Sequence, residues 1–199
     1  MKLSEALPAC FGHIRYYEQD NILFDKRNVV TFGAANILTQ LVMGNRSAAP
    51  SHIGFLYGAT ATPPELVDPS SLIGPNRRRW TMDMLKDVAE TNAANIAVAP
   101  LAQLPSAKLL PDTDPELYQA NTVTFSAHTG MVDQHLFSGA PFADPLDTLS
   151  PAYVYQVILF SRYPGNQFHP FAISQLGYAP FVAKTSSRHQ AVFWDITFK

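Results

Sequence analysis

Charge is what this chain has least of. Only 15% of its 199 residues are Asp, Glu, Lys or Arg, against roughly 25% in ordinary globular domains. With a formal net charge of −2, the chain has no general attraction to nucleic acid or to anionic membrane. Cysteine is nearly absent too. Cys10 stands alone and cannot close an intramolecular disulfide, so no disulfide framework is expected and a reducing compartment is the simpler assumption. No stretch reaches the roughly 18 continuous apolar residues of a membrane span. Ser4, Glu5 and Pro8 interrupt the apolar core that a secretory signal would need. The expectation is a soluble protein that neither enters nor binds a membrane.

The motifs of common chemistries are missing as well. Gly33 follows a β-branched run and precedes a helical pattern, which is how phosphate sites begin. The next residues are Ala34, Ala35 and Asn36, so the second and third glycines of a dinucleotide fingerprint are absent. Asn28 to Thr39 also lacks the second glycine and the lysine of a P-loop. His128 and His135, with Asp133 between them, match no metal spacing such as H-E-x-x-H. Ser126 lies near His128 along one strand with no orienting acid, and no G-x-S-x-G elbow occurs. The carboxylate pairs Asp112/Asp114 and Asp144/Asp147 sit among prolines and read as solvated. Cys10 has no neighbouring base to activate it. The expectation is a non-enzyme with no metal and no cofactor.

What the chain does have is aromatic residues, prolines and many short apolar runs. Ile14 and Tyr16, then Ile22 and Phe24, alternate with polar residues around "EQDN" as a hairpin would, and Asn28 to Phe32 is a third run. The period then changes. Ala34, Ile37, Leu38, Leu41 and Val42 form one helical stripe, closed by Gly44-Asn45. Ile53–Tyr57, "ANTVTFSAHTG", Tyr153–Tyr163 and "HQAVFWDITFK" read as further strands, and "NIAVAPLAQLP" is another apolar run. Tyr153–Tyr163 is the longest and is expected at the centre of a sheet. In the last run Val192, Trp194, Ile196 and Phe198 share one face, with Phe193, Asp195 and Thr197 on the other. "RRRWTMDMLKDVAE" fits a strand or a short helix, with a strand preferred. Residues 105–116 and 138–151 are rich in proline and read as long loops. The fold expected is mainly β: one domain over 1–199, an antiparallel, jelly-roll-like β-sandwich with one short N-terminal helix.

The only basic cluster is "NRRRW", Asn76–Trp80. With no second cluster and a slightly negative chain, an interface role is favoured over nucleic-acid binding. The candidate interface residues are Arg77, Arg78, Arg79 and Trp80, with Tyr163, Phe168 and Phe171 from the aromatic run "YPGNQFHPF". Aromatic and Arg side chains are the usual anchors of interfaces.

The order of segments resembles a group of bacteriophage virion proteins. The opening "GHIRYYEQDNILFDKRNVVTFGAANILTQLVMGN" looks like their hairpin, strand, glycine and short Leu-rich helix. "IGFLYGATATPPELVDPSSLIGPNRRRW" is similar to the strand, glycine turn and Pro-containing loop that follow, although the second glycine of that turn is Ala61 or absent. "YAPFVAKTSSRHQAVFWDITFK" matches their closing strand pair, with Pro180, Lys184, Trp194, Ile196 and Phe198 in order. The resemblance covers the two ends and not the middle, about Met82 to Tyr153. It implies a structural subunit of the tail, baseplate or fibre-attachment region. Such a subunit is made in the host cytoplasm and resides in the virion, with other virion proteins and copies of itself as partners. It supplies no catalytic residues. A capsid decoration protein, or a receptor- or carbohydrate-binding fibre module, is the alternative.

Overall fold

The computed structural model describes residues 10–30, 32–58, 87, 91, 94–102, 106–107, 122–129, 134–135, 152–163, 167–181 and 190–198. Its strands are β1 (Cys10–Glu18), β2 (Asn21–Val30), β3 (His52–Gly58), β4 (Asn95–Pro100), β5 (Ser106–Ala107), β6 (Thr122–His128), β7 (Gln134–His135), β8 (Ala152–Tyr163), β9 (Gln167–Phe181) and β10 (Gln190–Phe198). One helix, α1 (Phe32–Val42), and a 3-10 turn, η1 (Arg46–Ala48), separate β2 from β3. Every ladder is antiparallel.

The strands form two sheets packed as a β-sandwich. The first runs β5-β6-β10-β1-β2 and the second β2-β9-β8-β3-β4-β7. β2 belongs to both. Its residues Asn21 to Asn28 pair with β1, while Val29 and Val30 pair with Ile173 and Ala172 of β9. A strand that changes sheet in this way makes a corner of a sandwich. The opposite side is tied by the chain after β4: the Ala102 amide donates to the Ser126 carbonyl of β6 at 2.8 Å, and β5 then pairs with β6.

Between the sheets lies one apolar cluster. Ile14 and Tyr16 of β1, Phe125 and Ala127 of β6, and Val192, Trp194 and Ile196 of β10 meet Ile53, Phe55 and Tyr57 of β3, Ala97 and Ala99 of β4, and Val154, Val157 and Leu159 of β8. Burying each Val, Leu, Ile or Phe side chain of this cluster stabilises the fold by about 1.5–3 kcal/mol. Ala34 and Ile37 of α1 join this cluster, and Leu38 and Leu41 pack against it.

The helix ends as its sequence dictates. Gly44 takes φ +85°, the left-handed geometry that glycine adopts without steric cost. The Asn45 amide donates to the Gln40 carbonyl and the Gly44 amide to that of Leu41, both at 2.9 Å. These are the two bonds of a Schellman cap. Gly33 lies inside the first helical turn. Val42 departs from the expected stripe, since it is 89% exposed. At about 100° per residue it sits at the margin of the apolar arc, some 80° round from Ala34, while Ile37 and Leu41 fall on the other side.

Two further expectations change. Asn28 to Phe32 is no separate strand, because β2 runs unbroken to Val30 and Phe32 begins α1. The strand preferred over "RRRWTMDMLKDVAE" gives way where that segment is described. Asp87 and the nearby Thr91 are helical, and the Thr91 hydroxyl donates to the Asp87 carbonyl at 2.7 Å across one turn. The rest of that segment lies outside the described residues.

Candidate interaction surface

The residues singled out in the sequence fall in different parts of the chain. Arg77, Arg78, Arg79 and Trp80 lie outside the described residues, as does the proline-rich stretch 138–151. Of residues 105–116, Ser106 and Ala107 form β5 and the rest lie outside the described residues. Tyr163 ends β8, and Phe168 and Phe171 lie on β9, so the described part of "YPGNQFHPF" is strand. Tyr163 pairs with Gln167 and Arg162 with Phe168. Phe171 is the extra residue of a bulge, since Phe160 pairs with Pro170 and Leu159 with Ala172. Such bulges re-aim the local chain. Both prolines of β9, Pro170 and Pro180, lie away from the two positions that β2 pairs, where a missing N–H does least harm.

The outward face of the first sheet is the surface that the structure describes best. The strands alternate, so His13, Arg15 and Tyr17 of β1 point away from the core that holds Ile14 and Tyr16. The register then sets their neighbours. Arg15 stands between Phe193 of β10 and Asp25 of β2, and His13 between Asp195 and Arg27. The Arg15 guanidinium donates to Asp195 Oδ2 at 2.7 Å, and Thr124 Oγ1 of β6 donates to the other oxygen, Oδ1, at 2.6 Å. One carboxylate thus joins three strands. His13 Nε2 pairs with Asp25 Oδ1 between β1 and β2, and the Thr122 and Thr197 hydroxyls bond at 2.9 Å between β6 and β10. Tyr17 and Phe193 meet edge to face with centroids 5.5 Å apart, the arrangement that ring quadrupoles favour. The Arg15–Asp195 ion pair and the His13–Asp25 contact both lie on this face.

At one end of the same sheet a polar chain runs into the core. The buried Tyr16 hydroxyl donates to Gln190 Oε1 at 2.7 Å, and Gln190 Nε2 reaches Glu18 Oε1 at 3.4 Å. Burial, with Glu18 as the lesser cause, pushes the Tyr16 hydroxyl far above its usual range. Tyr16 is therefore a neutral hydrogen-bond donor at ordinary pH.

The histidines considered as ligands are carried by different sheets, His128 on β6 and His135 on β7. Among the described residues no group of three His, Cys, Asp or Glu is placed to hold a metal. Ser126 and His128 share the outward face of β6 with Thr124. This arrangement places hydrogen bonds, paired charges and two rings on one sheet face. The sequence shows the parity of "HIRYY" and "FWDITF" but not the register that sets Arg15 beside Asp195. Comparison with protein-family models, with curated proteins and with solved structures gave no match.

Proposed function

We propose that this chain is a structural subunit of a bacteriophage particle, of the tail, baseplate or fibre-attachment type. It works by associating with other virion proteins and with copies of itself, without catalysis. One observation carries the reading. Of the three segments that resemble phage virion proteins, the first, Gly12–Asn45, and the last, Tyr178–Lys199, are remote in sequence, yet their described strands are neighbours. β10, β1, β2 and β9 are consecutive neighbours, and β1 pairs with β10 from Cys10↔Phe198 to Glu18↔Gln190. The reading rests on the resemblance together with this adjacency of the first and last segments; β3, from the segment between them, lies beyond β8 in the same order. The low charge of the chain fits a subunit covered by neighbours.

The test is quantitative mass spectrometry of purified particles, joined to antibody labelling in the electron microscope. The reading expects the chain in intact particles at low copy number, labelled at one end. Absence from particles overturns it, and hundreds of copies over the shell would make it a capsid decoration protein instead.

A further inference from the structure

We draw no further inference here: the strongest candidate, the exposed Val42 and Met43 at the capped end of α1, is a small apolar patch, and nothing in the structure shows what covers it.

Discussion

The two sheets of this sandwich bury their residues by different rules. Along β10 of the first sheet, Val192, Trp194 and Ile196 are buried while Phe193, Asp195 and Thr197 are only partly so. In β3, β4 and β8 of the second sheet alternation disappears. β3 is buried from Ile53 to Gly58, β4 from Asn95 to Ala99 and β8 from Val154 to Ser161. Leu56, Ile96, Val98, Ile158 and Phe160 are buried yet stand outside the inter-sheet cluster, so they form a second dry face. Among the described side chains, the first sheet therefore carries polar groups on half of its positions, whereas β3, β4 and β8 enclose only a few, Asn95, Gln156 and Ser161, and bury each of them. The difference is written in composition: "FWDITF" mixes its residue types, whereas "VILF" does not.

The largest expected effect tests that contrast directly. Ile158→Asp would place a carboxylate in a dry face, at a cost that rivals the whole stability of a domain, about 5–15 kcal/mol. Because this variant is expected to unfold, Ile158→Ala gives the measurable companion, about 2–5 kcal/mol in urea denaturation. Phe193→Asp, on the outward face of the first sheet, should cost only about 1 kcal/mol, from loss of the Tyr17 ring contact. Equal losses at Ile158 and Phe193 would mean that the first sheet is covered on both faces too.

The close approach of Gly12 and Asn28 at the sheet-changing corner comes next. The Asn28 amide occupies the space that a Cβ on residue 12 would take, and neither of its polar atoms has a hydrogen-bond partner. Gly12→Ala should destabilise by about 1–3 kcal/mol through overpacking. Adding Asn28→Ala should restore most of that, because it removes the clash and an unsatisfied amide together. A double variant no better than Gly12→Ala would rule out this pair as the source of the strain.

Tyr16 tests whether the inner face of the first sheet is as dry as the second sheet. Tyr16→Phe removes the donor to Gln190 and should cost about 1–2 kcal/mol near neutral pH. The pH dependence has a definite sign. Raising a tyrosine's folded-state pKa above its unfolded value of 10.0 favours folding of the neutral form. That stability is complete below pH 10 and is lost progressively as pH rises above it. The wild-type thermal midpoint should therefore fall on alkaline titration, and the Tyr16→Phe protein should show a shallower fall. Parallel curves would mean that Tyr16 is wetter than its burial implies.

Much of this contrast can be read from the chain, and its limits have physical causes. Side-chain parity depends only on the period of a strand, so the buried faces of β6 and β10 follow from Val123, Phe125, Val192, Trp194 and Ile196. The helix stop follows from the backbone freedom of Gly44. Register is different: Arg15 and Asp195 are 180 residues apart, and a slip of one position would turn every partner to the other face. Local patterns also miss that β2 changes sheets, because Val29 and Val30 are β-prone whichever sheet they join. The candidate site was the least legible part, since its members are ordinary residues made significant only by their neighbours. α1 shows the same limit at smaller scale. Gly44→Ala should cost roughly 1–2 kcal/mol from the left-handed φ alone, by thermal melting, whereas the outward turn of Val42 depends on how far the apolar arc extends over its neighbours.

The smallest effect probes the solvated face itself. A double-mutant cycle on Arg15→Ala and Asp195→Ala should give a coupling of about 0.2–1 kcal/mol, reduced by salt. The pair bridges β1 and β10 at 2.7 Å with side chains 34% and 20% exposed, so water still screens it. Asp195 also accepts from Thr124, so Asp195→Ala alone should cost more than Arg15→Ala, and only the cycle isolates the ion pair. A coupling well above 1 kcal/mol that salt leaves unchanged would mean that the face is shielded from water in the isolated protein. The first sheet would then resemble the second, and the contrast between them would fail. If the small coupling is found for the free chain, the same cycle measured in assembled particles becomes informative. There a larger, salt-resistant value would identify the outward face of the first sheet as covered by a neighbouring subunit.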